Sequence, residues 1–139
     1  YEHSIGVPFI IAGPGIPKDR RTRAQIYLRD MYPTTCELAG IPIPKTVEAK
    51  SFVPVLRGEK KQIHPEIYGY FYNYQRMVRT DRWKLIHYPH LKRYQLFDLK
   101  NDPDEVNDLS KKSDQQKRVK NLNRKLTAWF EARESSIPK

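Results

Sequence analysis

Four groups of side chains in this chain have types and spacings that could do chemistry. His87-x-x-His90 is the only histidine pair with local spacing, a possible half of a metal site. Asp98, Asp102, Asp104, Glu105 and Asp108 gather carboxylates within eleven positions, the density a hard cation needs. Cys36 is the sole thiol and hence the sole candidate nucleophile of its kind. Tyr68, Tyr70, Tyr72 and Tyr74 alternate just ahead of Arg76 and Arg79, so rings and guanidinium groups could stack on sugars or bases.

Each group also has a plain structural reading. Zinc is held by three or four convergent ligands, and His87-x-x-His90 has Pro89 inside it and no companion motif. A calcium loop alternates its ligands around a glycine at the sixth position, whereas Pro103 interrupts the acidic run and no glycine is present, so a turn is expected. Cys36 has no neighbouring histidine or basic pair to lower its pKa and reads as a packed thiol. The tyrosines, if in a strand, line one face. That face is expected to pack on a helix, with the end from Tyr72 to Arg76 exposed. Gly13-Pro14-Gly15 lacks the Gly-Lys-Ser/Thr ending of a phosphate loop and reads as a turn.

Net charge is +10, with basic residues spread along the chain. This favours anionic partners: sulfated or uronic-acid polysaccharide, nucleic acid or anionic membrane. No apolar run reaches the ~20 residues of a membrane-spanning helix. One cysteine excludes an internal disulfide. Tyr1-Glu2-His3-Ser4 has neither the basic nor the apolar region of a signal peptide and suits a segment taken from within a longer chain.

The elements that position these groups follow from periodicity. Residues 7–12 are a short apolar run suited to a strand buried on both faces of a parallel sheet. Residues 24–28 suggest a second short strand. Asp30 is expected to cap a helix that carries Pro33 in its first turn and ends at Gly40. Ile41-Pro42-Ile43-Pro44 is an extended connector, and the character of the chain changes at 57–64. Residues 66–72, 77–80, 83–88 and 94–99 are rich in aromatic and β-branched residues and separated by turn chemistry. They predict four antiparallel strands. Ser113-Asp114-Gln115-Gln116 matches a capping box, and Val119, Leu122, Leu126, Trp129 and Phe130 form one helical stripe to pack on that sheet. The expected organisation is residues 1–56 as a βα portion of an α/β domain and 57–139 as a sheet-plus-helix α+β subdomain.

In order, residues 1–15, Asp30-Met31-Tyr32-Pro33-Thr34 through Ala39-Gly40-Ile41, Lys50-Ser51-Phe52-Val53-Pro54-Val55-Leu56, Arg79-Thr80-Asp81-Arg82-Trp83-Lys84, and Leu96-Phe97-Asp98-Leu99 with Asn101-Asp102-Pro103 resemble the C-terminal part of a type I sulfatase of the alkaline-phosphatase-like superfamily. Gly6 stands where that pattern usually has Arg, and Ala49 where Gly precedes Lys-Ser. The resemblance implies a parent enzyme that hydrolyses sulfate esters, using a formylglycine made from Cys or Ser and a calcium ion. Neither motif is matched here: Cys36 is followed by Glu37-Leu38-Ala39, without the Pro and Arg the modification requires. No cofactor and no catalytic or metal residue is therefore expected within this chain. The resemblance implies a wall of the substrate cleft, with Tyr72, Asn73 and Arg76 as candidates to contact substrate beyond the sulfate. Expected partners are the rest of the sulfatase chain and a sulfated, anionic glycan, with self-association of the isolated chain. An exported parent is expected. A basic nucleic-acid-binding module and a fragment of a related phosphodiesterase or phosphonate hydrolase are the rival readings.

Overall fold

The computed structural model describes residues 1–134, so the last five positions of the expected 57–139 subdomain lie outside the described residues. The chain divides into two compact units: Tyr1–Val7 together with the chain from Tyr68 onward, and Pro8–Ile67.

The first unit is built on β1 (Ile67–Phe71), β2 (Gln75–Arg79), β3 (Trp83–Tyr88) and β4 (Arg93–Asp98), adjacent in that order. Short connections force antiparallel neighbours, and the registers agree: Val78 faces Leu85, and Leu85 faces Leu96. A long helix, Gln116–Glu134 (here α4), lies across that face. Val78, Leu85 and Leu96 meet Val119, Leu122 and Leu126 in one core, with Trp83, Leu109 and Phe130 at its margin. Alternation of period two on the strands and 3.6 on the helix places all six on facing surfaces. The apolar stripe is as expected, but the capping box is not. Ser113–Gln115 forms a 3-10 turn, and α4 begins only at Gln116.

The opposite sheet face carries Arg79, Lys84, Ile86 and Phe97. Lys84, Ile86 and Phe97 are buried. A one-turn helix, α1 (Glu2–Ile5), belongs to this unit. The Tyr1 ring meets Phe97 edge-on at 5.9 Å. At Gly6 an added Cβ would lie 2.9 Å from the Glu2 carbonyl oxygen, so a side chain there would require this turn to shift. The loop after β4 shields its edge, Leu109 N–H donating to the Leu96 carbonyl at 2.8 Å.

The second unit holds α2 (Met31–Leu38) and α3 (Val53–Arg57). Gly40 adopts φ +69, and Ile41 N–H donates to the Cys36 carbonyl, closing α2 in a Schellman arrangement. Thr34 ties the two helices: its hydroxyl donates to the Asp30 carbonyl and accepts from Phe52 N–H at 3.0 Å.

Three expectations fail here. Neither 7–12 nor 24–28 forms a strand. An interior parallel strand exists only through hydrogen bonds to neighbours, and the described residues supply none. Asp30 precedes α2 but does not cap it with its side chain. Its carboxylate accepts instead from Tyr27 N–H at 2.7 Å, Lys50 N–H at 3.1 Å and the His64 ring at 2.8 Å. The family's Asp-x-x-Pro-Thr pattern is thus a fully buried structural hub, since one carboxylate satisfies three segments that would otherwise bury open donors.

Candidate functional site

The β1–β2 turn carries two of the three expected substrate contacts. Tyr72, Asn73 and Tyr74 connect the strands, with Tyr74 N–H donating to the Phe71 carbonyl at 3.1 Å. Tyr72 sits at φ +47, a left-handed conformation that a bulky residue rarely holds. The residue is 74% exposed. Tyr72 meets Phe71 and Tyr74 edge-on, Phe71 and Tyr74 lie tilted to each other, and Tyr74 reaches His90 at 5.8 Å. The alternating tyrosines therefore divide. Tyr68 stacks on Trp129 of α4 at 5.0 Å as packing predicts, while Tyr70, Tyr72 and Tyr74 stay largely exposed.

Arg76, the third expected contact, lies on the α4 face of the sheet. Its guanidinium covers the Phe130 ring at 4.4 Å, and its Nε is buried without a hydrogen-bond partner. His87 is its cross-strand neighbour and stacks on Tyr94 at 4.4 Å. Burial, then the Arg76 charge, lowers the His87 pKa from its ordinary value, so the ring favours its neutral form. His87 and His90 are not brought together as a metal pair. His87 is committed to a stack on β3, and His90 sits in the 3-10 turn that follows.

The charged network on the other sheet face is missing from the sequence reading. Lys84 is fully buried, with its ammonium 2.7 Å from Glu2 Oε1 and 2.8 Å from Glu105 Oε1. Arg79 Nε donates to Glu2 Oε1 at 2.9 Å, and Glu2 N–H reaches Glu105 Oε2. Burial alone would raise the Glu2 pKa, but Arg79 and Lys84 together hold it below the usual carboxylate range. The one sequence signal is a lysine between Trp83 and Leu85-Ile86, inside a strand that otherwise reads as core.

Beyond Glu105, the acidic run gives Asp98, Asp102 and Asp108 to arginine and backbone donors. Arg82 grips Asp98 with two bonds, 2.8 and 2.7 Å, and holds its carboxyl below the ordinary range. Asp102 accepts from Val106 and Asn107 N–H, and Asp108 from Leu96 and Ser110 N–H. Among the described residues no group of three or more His, Cys, Asp or Glu converges as metal ligands. Cys36 is buried in α2. The described residues of this chain therefore do not fit the calcium ion or the formylglycine that the resemblance implies for the parent.

The geometry is that of a sheet-and-helix scaffold with an aromatic turn at one end, and known proteins share the scaffold. The family described as N-sulphoglucosamine sulphohydrolase, C-terminal, matches residues 1–132. A Δ4,5-hexuronate-2-O-sulfatase of Bacteroides thetaiotaomicron is 38% identical over 122 residues, covering 80% of this chain and 25% of that protein. Human arylsulfatase K is 36% identical over 126 residues, covering 81% of this chain and 24% of its own length. The solved structure of a 2-O GAG sulfatase superposes with a TM-score of 0.68 at 31% identity, over 91% of this chain and 30% of that one. The chain thus spans about a quarter of the curated relatives it matches. With the five sequence segments, the four-stranded antiparallel sheet and its long covering helix all in agreement, the chain belongs to the alkaline-phosphatase-like sulfatase family, as its C-terminal region.

Proposed function

We propose that this chain walls one side of the substrate cleft of a sulfuric ester hydrolase acting on a sulfated, uronate-containing glycan. The observation that carries the reading is the match over residues 1–132, joined to a 38% identical relative named for 2-O-sulfated hexuronate. The +10 charge of the chain suits such an anionic substrate. Residues 1–56 belong to the parent's α/β domain and 57–139 to its C-terminal subdomain. The parent supplies formylglycine and calcium from residues outside this chain, so the chain alone does not turn over substrate.

Within the wall, Tyr72, Asn73 and Arg76 contact the sugar beyond the scissile sulfate. Two features support these residues. Tyr72 keeps a strained backbone in an exposed turn, as residues held for binding do. Arg76 is braced by the Phe130 ring, which limits the rotamer freedom lost when a carboxylate or second sulfate is gripped. The test is the intact parent enzyme carrying Arg76→Ala or Tyr72→Ala, assayed by sulfate release from a 2-O-sulfated unsaturated uronate disaccharide. A lost charge-assisted hydrogen bond, ~1.5–3 kcal/mol, corresponds to a KM roughly 10- to 100-fold higher with kcat largely kept. Unchanged KM in both variants would remove these residues from the substrate.

A further inference from the structure

The outer face of α4 is the feature that neither the fold nor the proposed cleft wall uses. Lys117, Lys120 and Arg124 are exposed and stand at helical positions i, i+3 and i+7, hence on one line about 10 Å long. The apolar stripe of Val119, Leu122 and Leu126 faces the sheet, so this line faces solvent. None of the three cations has a carboxylate at ion-pair distance among the described residues; Arg124 has only the Asn121 amide oxygen, at 3.2 Å. Asp114 bounds the line at its start and Glu131 lies a further two turns on, with Ala128 between Arg124 and Glu131. Asp114, Lys117, Arg118, Lys120, Asn121 and Arg124 line an open surface along it.

We propose that this ladder of cations without carboxylate partners binds a sulfated polysaccharide chain, seating a polymer on α4. The proposal rests on the glycan reading of the proposed function for the identity of the polymer. Like charges in a row repel one another, and Lys117 lies in the first turn, at the positive end of the helix dipole. That arrangement is unfavourable for the helix and favourable for an extended anion. The face also lacks what single-stranded nucleic acid uses. Trp83, the ring that α4's Arg118 reaches, is covered by Arg118 at 3.7 Å and Arg82 at 4.9 Å and offers no free platform for a base. Sulfate and carboxylate groups need only the cations.

The experiment uses this chain with a heparin decasaccharide, titrated between ~50 and ~300 mM NaCl, a range over which phosphate- or sulfate-type contacts lose affinity steeply. Three forms are compared: wild type, K117A/K120A/R124A, and R21A/R23A/K45A, a control that removes three exposed charges elsewhere. Alanine at exposed helical positions keeps the helix, which circular dichroism verifies. The expected result is at least a tenfold loss of affinity for the ladder variant, a salt dependence shallower by about two ions, and less than a threefold loss for the control. K117R/K120R should bind as wild type. Equal losses in both triple variants would show a response to net charge alone and overturn the site. So would an unaffected ladder variant, or a single-stranded oligonucleotide of equal charge binding as tightly with the same loss. Sulfate release by the parent enzyme is read separately, so a wrong glycan activity and a wrong binding face give different results.

Discussion

At the scale of single residues, Lys84 is the most consequential side chain. A buried ion pair contributes little net stability over an apolar packing, yet removing one partner strands the others. Lys84→Met leaves Glu105 buried beside Glu2 with no cation between them and is expected to lower unfolding free energy by about 3–5 kcal/mol in urea titration. Adding Glu105→Gln should recover a large part of that loss. A stable single variant would show the carboxylates solvated or protonated. Acid sensitivity follows from Asp98 and Glu2, whose pKa values both lie below their ordinary ones. A depressed carboxylate stabilises the fold above its unfolded pKa of roughly 4, and that contribution disappears as pH falls through the lower folded value. Thermal midpoints should hold from neutrality to about pH 5 and fall below about pH 4, and Arg82→Leu should make that fall shallower by freeing Asp98. A decline of equal steepness in the variant would put the acid transition elsewhere.

At the scale of elements, α4 against the sheet is the main store of apolar burial in its unit. Leu126 is 1% exposed in that core, and Leu126→Ala is expected to cost about 2–5 kcal/mol, seen as a lower urea midpoint with an unchanged slope. A loss under ~1 kcal/mol would mean the helix packs loosely. The four strands and this helix are legible in the sequence because each carries its own period, and the turns between them carry Asn, Asp and Pro. Residues 7–12 mislead for the opposite reason: their apolar run describes a strand whose neighbours must come from other chain segments. Val7 and Ile10 accordingly stand 80% and 93% exposed. Asp30 reads correctly as a helix-start residue, but its long-range partners Lys50 and His64 have no local signature. The same holds for the Lys84 network, whose carboxylates come from positions 2 and 105. For the candidate site, exposure at Tyr72 and Asn73 follows from turn chemistry, whereas the bracing of Arg76 by Phe130 needs the helix in place.

At the scale of the whole molecule, the chain is a scaffold with a proposed binding edge. Asp102 and Asp108 are committed to backbone donors, Glu105 to buried Lys84, and the one thiol is packed. Under the proposed function, attack on sulfur falls to residues of the parent outside this chain, and this region shapes and holds the glycan. The most direct measurement is sulfate release from a 2-O-sulfated uronate disaccharide, with calcium present, by the intact parent enzyme and by this chain alone at equal concentration. Turnover by the parent and a rate at the uncatalysed background for the isolated chain are the predicted results. Hydrolysis by the isolated chain, or a parent enzyme that cleaves phosphonate or phosphodiester substrates and leaves the sulfate in place, would contradict them.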